Sequence, residues 1–200
     1  MLWFFKKNIF SIKSMLTVEY DLEHFSKEGI SYPIVVDGMK ATAKRLMEIN
    51  PEYEERIGPV LRRMDFTPPF DIGEAKRRLD KGYYFIILEN DGRVIGWSWA
   101  GIGKVWFNEF NCNIELKTRH AFFFNTYVAK EFRGKELNQI VFNEKLYQLK
   151  NDGYIKLWGL IYKSNEASLR SLRKIGFKEP GYYRFLKLLF MNFRLSPKDI

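Results

Sequence analysis

Val128-Ala129-Lys130-Glu131-Phe132-Arg133-Gly134-Lys135 and, 32 residues after Arg133, Asn165-Glu166-Ala167-Ser168-Leu169-Arg170-Ser171-Leu172-Arg173-Lys174-Ile175-Gly176-Phe177 are the two stretches that decide the fold. The first closes an apolar strand, turns at Arg-Gly and opens a helix. Such a junction gathers free backbone N–H groups and the positive end of a helix dipole at one point, which suits a phosphate. The second starts with a helix cap at Ser164 or Asn165, presents Leu169, Leu172 and Ile175 as an inner face, and places Gly176 just past the helix end.

Around these stretches the periodicity yields the remaining elements. Leu137, Ile140, Val141, Leu146 and Leu149 follow helical spacing up to Asn151-Asp152-Gly153, and residues 155–162 read as a strand. Upstream, residues 84–88 form a buried-strand run, Asn90-Asp91-Gly92 is a tight-turn signal, and residues 94–100 make the return strand of a hairpin. Strands are expected at residues 113–117 and 121–128, and a last one at residues 182–193. Nearer the start, Met39, Ala43, Leu46 and Met47 share a helical face, and Ile57, Val60, Leu61 and Met64 form a second stripe after Pro51. Pro68-Pro69 break the chain, and residues 72–79 form a short helix with Lys76, Arg77 and Arg78 on its wet side. The whole is a mixed α/β sheet, read as an extension over residues 1–32, packed on or near a single domain over residues 33–195.

Composition narrows the partners. Residues 1–100 hold 15 Lys or Arg against 15 Asp or Glu, and residues 101–200 hold 18 against 9, so the whole net charge of +9 lies in the second half. A localised excess points to an anionic ligand rather than to a fold. Arg170, Arg173, Lys174 and Lys178 are not interleaved with aromatics as a stacking platform for nucleic acid would be, which argues against that partner. One cysteine, Cys112, permits no internal disulfide, and only His24 and His120 accompany it, so a reducing compartment, the cytoplasm, is expected and a metal site is not. The longest uncharged stretches, such as Val94 to Gly103, are about ten residues against the roughly 20 a membrane-spanning helix needs. Residues 1–13 set aromatics beside lysines, so weak peripheral contact with a membrane surface stays open beside folding back onto the domain. A homodimer stays open as well.

Three segments resemble the GNAT superfamily of acyl-CoA-dependent N-acyltransferases: the hairpin at residues 89–96, Val128 through Asn138, and Asn165 through Phe177, which matches an N-x-x-(A/S)…K-x-G-F pattern. They cover roughly residues 84–178, and their coupled spacing is far less expected by chance than any one motif. The resemblance implies an α/β (α+β) fold with a mostly antiparallel central sheet flanked by helices, and a splayed pair of parallel strands at the cofactor site. It implies acetyl-CoA or another acyl-CoA as co-substrate. The backbone at Thr126, Tyr127 and Val128 would pair with the pantetheine amides and polarise the thioester. Arg133, Gly134, Lys135, Glu136, Leu137 and Asn138 would wrap the pyrophosphate, and Ser168 belongs to the same cofactor set. Asn165 would hold the cofactor arm or cap its helix, and Phe177 would set that helix against the sheet.

Three positions depart from the family pattern R/Q-x-x-G-x-G/A and its usual Tyr acid. Its small residues fall on Glu136 and Asn138, and the Tyr four residues before Gly176 is Leu172. Glu136 would place a carboxylate near a pyrophosphate unless it turns outward. Candidate catalytic groups are His120, Glu115 and Asn125. His120 is a base near neutral pH or a structural strand-start residue, and Asn125 and Tyr127 face the acceptor or the core according to a register that sequence leaves open. Trp97, Trp99 and Trp106 line an acceptor pocket or belong to the core. The reading is an N-acyltransferase acting on a small-molecule amine, an amino sugar by analogy, through direct attack in a ternary complex. The alternative is a GNAT-like binding module that has lost CoA.

Overall fold

A computed structural model describes residues 10–26, 33–61, 71–188 and 191–194. In chain order the strands are β1 (Phe10–Asp21), β2 (Ile34–Val36), β3 (Met39–Leu46), β4 (Tyr84–Asn90), β5 (Arg93–Ile102), β6 (Lys104–Phe107), β7 (Cys112–Glu115), β8 (His120–Val128), β9 (Lys156–Ile161), β10 (Lys178–Leu188) and β11 (Met191–Arg194). The α-helices are α1 (Pro51–Leu61), α2 (Ile72–Asp80), α3 (Leu137–Asn151) and α4 (Glu166–Ile175). Among the described residues nine strands form one sheet in the order β11-β10-β1-β9-β8-β5-β4-β3-β2, while β6 and β7 make a separate hairpin. Every described pairing in the large sheet is antiparallel except that of β8 with β9. This is the mixed, mostly antiparallel sheet with one parallel pair that the sequence led us to expect.

Helices cover both faces, so β4 and β5 are buried along almost their whole length rather than on alternate residues. Phe85, Ile87, Trp97 and Trp99 pack with Ile57 and Leu61 of α1 on one face. On the other face Ile86, Leu88 and Ile95 pack with Leu137, Ile140 and Val141 of α3. Leu146 and Leu149 of α3 and Leu169 and Leu172 of α4 join Leu16, Val18, Phe123 and Phe177 there. Phe177 is the hinge pin of this face: its ring meets Phe123 of β8 and Phe142 of α3 at 5.6 Å each, and Tyr20 of β1 at 5.3 Å.

Three expectations change. Residues 39–47 form β3, not a helix: Asp37 and Gly38 take φ 48° and 76°, a tight hairpin turn, and Ala41 and Ala43 are buried at the two-residue period of a strand. Met47, which completes the helical stripe, is 70% exposed. The stretch read as an extension supplies an inner strand, with β1 pairing β10 on one side and β9 on the other. The strand expected over residues 182–193 is two antiparallel strands, β10 and β11. Met64 and Pro68-Pro69 lie outside the described residues, as do residues 1–9 of the N-terminal stretch.

Candidate active site

The parallel pair defines the site. β8 and β9 are in register only through His120↔Lys156, Ala121↔Leu157 and Phe122↔Trp158, after which they part. Gly159 follows that last pair, and a Cβ there would meet the Phe123 ring at 2.5 Å, so the missing side chain is what lets the ring lie across β9. Beyond it lies a cavity of about 580 Å³ lined by residues from both faces of the sheet, whose two ends are called its mouths below.

β8 is bulged where it borders this slot. Trp97 pairs with Tyr127 and Trp99 with Phe124, so Asn125 and Thr126 together oppose Ser98, and Asn125 takes φ 46°. A bulge leaves backbone groups of the extra residue outside the ladder and re-aims side chains. Phe124 and Asn125 accordingly turn to the same face. Arg78 Nη1 donates to Asn125 Oδ1 at 3.0 Å, whereas Thr126 Oγ1 lies 2.6 Å from Ser98 Oγ on the α3 side.

Arg78 corrects the reading of α2. Only Lys76 and Arg77 are exposed; Arg78 is 8% exposed. Its Nε donates to Glu74 at 2.9 Å, and its guanidinium lies 4.9 Å from the Phe124 ring centroid and 5.4 Å from that of Trp99. The helix is aimed by a cap, Asp71 Oδ1 accepting from the Glu74 N–H at 2.8 Å. Asp71, Glu74, Arg77 and Arg78 line one mouth of the slot, together with Glu109 and Trp106 of the β6 region. Tyr162, at the end of β9, donates to Glu109 at 3.1 Å, and burial, with Glu109 beside it, pushes its hydroxyl up to about 12. Trp97 and Trp99 are fully buried core residues, while Trp106 is 46% exposed at the rim.

The other mouth is walled by Thr126, Asn138, Phe142, Asn165, Ser168 and Ser171. Asn165 caps α4 by accepting from the Ser168 N–H at 3.2 Å and still faces the slot. Asn138 Oδ1 is buried and has no hydrogen-bond partner among the described residues. Leu172 is 3% exposed and lines the slot from the core side.

The turn before α3 leads directly into Asn138 on this wall. Gly134 takes φ 83°, and Glu136, in the cap position, takes φ 57°, the backbone conformation for which the usual residue is glycine. Glu136 turns outward: its carboxylate accepts from Lys174 of α4 and, at 3.0 Å, from Gln139, and the Lys174 contact chiefly holds it below the ordinary glutamate range. Arg133 Nε donates to the Val128 carbonyl at 2.8 Å, and Lys135 pairs with Asp37 at 3.8 Å. Tyr127 stacks on Trp97 at 4.7 Å, and Val128 and Leu137 are core residues.

Of the residues singled out in the sequence, Asn125, Asn138, Asn165 and Ser168 line the slot. His120 and Glu115 do not. His120 begins β8, at the paired end away from the slot, and burial, then Lys156 and Lys117, lowers its imidazole below the ordinary range. Glu115 is exposed on β7 and pairs with Lys104 at 3.4 Å. Glu74, Glu109 and Tyr162 are slot residues that sequence reasoning passed over; Arg78 was read as solvated, and Thr126 was read for its backbone alone. For α2 only the helix start was signalled, by Asp71 with Glu74 three residues on.

A family model for GNAT acetyltransferases matches residues 45–177. The chain belongs to that family. The match begins within β3, so β1 and β2 lie outside it. Solved structures of similar fold include a Drosophila protein (12% identity, TM-score 0.60, covering 92% of this chain and 54% of that one). A second is a GCN5-related glucosamine N-acetyltransferase region of a fungal multi-domain GH3 β-N-acetylglucosaminidase (16%, 0.55, 96% and 22%). A third is a tandem GNAT protein from the clavulanic acid biosynthesis pathway (14%, 0.59, 94% and 55%). At these identities the likeness is one of fold, and the chain spans about half or less of the length of each. No curated protein matches the sequence. Among the described residues of this GNAT chain there is no cluster suited to a metal ion and no helix long and apolar enough to cross a membrane.

Proposed function

We propose that the chain is an acyl-CoA-dependent N-acyltransferase, most simply an acetyltransferase, acting on a primary amine by direct attack in a ternary complex. The observation that carries this reading is the slot between β8 and β9. It joins a mouth of amides and hydroxyls to a mouth of charges, with a bulged strand between them. The amide and hydroxyl mouth, with Asn138, Asn165 and Ser168, suits a pantetheine arm, and the turn over residues 133–138 suits the pyrophosphate. A backbone N–H freed by the bulge at Asn125 would suit a thioester oxygen as it gathers charge during attack.

Asp71, Glu74 and Glu109 suit an ammonium group at the other mouth. Trp106, exposed beside them, offers a face for the apolar side of a sugar ring. An amino sugar is therefore the acceptor we favour, and the lone Cys112 fits a reducing, cytoplasmic setting. The experiment is calorimetric titration of the full chain with acetyl-CoA at low salt, followed by thiol release in the presence of glucosamine. Sub-millimolar binding with amine-dependent release is expected; no binding would end the reading. One observation favours a binding module without CoA instead: Arg133, Lys135 and Glu136 are each engaged by protein partners. That alternative predicts absent binding in the natural chain that returns in Glu136→Gly/Asn138→Gly.

A further inference from the structure

Lys145 of α3 is 0% exposed. Its Nζ donates to Ser98 Oγ of β5, also 0% exposed, and Ser98 Oγ lies 2.6 Å from Thr126 Oγ1 on the wall of the slot. Three polar atoms thus run without a break from the interior of the sheet to the slot. An ammonium has no packing role here that an apolar side chain of the same length would not fill, because a buried charge costs more than it returns unless fully compensated.

Burial alone pushes this ammonium well below the ordinary lysine range, and among the described residues no charged group contributes to the shift. The charges on the packed elements are engaged elsewhere. Glu144 accepts from Gln148 at 2.7 Å, Arg45 of β3 donates to Asp152 at 2.7 Å, and on α4 Arg170 and Arg173 pair with Glu166 and Glu179. The side chain is thereby biased toward a free amine, whose lone pair would accept from the Ser98 Oγ–H across the same contact. Two aromatic faces, Phe142 at 4.0 Å and Phe123 at 5.3 Å, stand ready to hold a transient cation.

We propose that Lys145, acting through Ser98 and Thr126, takes the proton that the attacking amine must lose. This rests on the N-acyltransferase reading. The acceptor enters as R–NH₃⁺ and gives one proton to Thr126 Oγ1, which passes its own proton to Ser98 Oγ, which passes its own to Lys145 Nζ. The freed lone pair forms the C–N bond at the thioester carbonyl, and the oxyanion collapses with cleavage of the C–S bond. The leaving thiolate takes the second amine proton. After product release Lys145 returns its proton along the same hydroxyls to water.

The test compares the wild-type full chain with Lys145→Met, Thr126→Val and Thr126→Ser. It measures acetyl-CoA binding by calorimetry, thermal midpoint, and the pH dependence of thiol release with glucosamine and with ethanolamine, two amines of different basicity. The lowered pKa makes Lys145 a base above that pKa, so the wild-type rate should fall as pH drops through it, at the same pH for both amines. In Lys145→Met that limb should vanish and the plateau rate fall about 100-fold, with acetyl-CoA binding and thermal midpoint unchanged or improved. Thr126→Val should lose the same limb and a similar factor in rate, and Thr126→Ser should restore the rate to within a few-fold. A Lys145→Met chain that keeps the limb, or loses only thermal stability, overturns the relay. If the wild type binds acetyl-CoA but releases no thiol to either amine, the relay also falls while the cofactor reading stands. Absent acetyl-CoA binding ends both.

Discussion

The two mouths of the slot are unlike. Towards α3 and α4 its walls carry amides and hydroxyls, and among the described residues no charged side chain lines it there. Towards α2 and the β6 turn it is lined by Asp71, Glu74, Arg77, Arg78 and Glu109. The bulge in β8 joins the two, sending Asn125 to the charged side and Thr126 to the uncharged side. The lesson is a division of labour: on the proposed reading, the uncharged mouth takes a long polar arm whose own phosphates lie outside, and the charged mouth selects a cation. Substitutions on one side should therefore leave the other side's ligand largely alone.

Arg78→Met attacks that division most directly. It removes the donor that fixes Asn125 and leaves Glu74 without its buried partner, which we expect to cost about 3 kcal/mol in urea unfolding. The rate of transfer should drop about 100-fold as the bulge loses its hold. Acetyl-CoA affinity should change less than about threefold. An equal loss in both quantities would show that the mouths are not separable.

Gly159→Ala acts on the partition between the mouths. A Cβ at 2.5 Å from the Phe123 ring requires the ring or β9 to move, at about 1–3 kcal/mol. Both ligands should weaken together, in contrast to Arg78→Met. An unaltered urea midpoint would mean that the strands part for some reason other than the Phe123 ring.

Glu136→Gly addresses the cofactor side alone. It relieves the positive φ and withdraws a carboxylate from the helix N-terminus, so acetyl-CoA should bind about fivefold tighter at low salt. The gain should shrink as salt rises. No change in affinity would indicate that the Lys174 contact already neutralises the carboxylate.

How much of this was legible depended on whether the signal was local. The Asn90–Gly92 turn, the Arg-Gly junction and the Asn165–Gly176 helix are each specified by residues within a few positions, and all three appear where sequence placed them. β3 was ambiguous because Met39, Ala43 and Leu46 fit a helical face while Ala41 and Ala43 fit a strand, and the Asp37-Gly38 turn decides for the strand. Nothing near β1 announces that its partners lie more than a hundred residues away in β9 and β10. Arg78 and Lys145 were hidden for a similar reason. A charged residue in an amphipathic pattern is assigned to water, and only the tertiary fold brings Asn125 and Ser98 to meet them.

Tyr162→Phe is the mildest change and the finest probe of the charged mouth. Tyr162 sits at the rim, and the loss of one hydrogen bond to Glu109 should alter stability by less than about 1 kcal/mol. Because its hydroxyl is pushed up to about 12, it stays protonated through the neutral range and adds no limb to the pH profile. Its influence is on Glu109, which it holds by a single O–H donor at 3.1 Å. Freed of that donor, Glu109 swings more widely, and the KM for the amine should rise about two- to fivefold at constant kcat, the mark of binding shared by ground and transition states. A change in kcat instead would move Tyr162 from acceptor binding into the proton chemistry, and would shift the weight of the charged mouth from selection to catalysis.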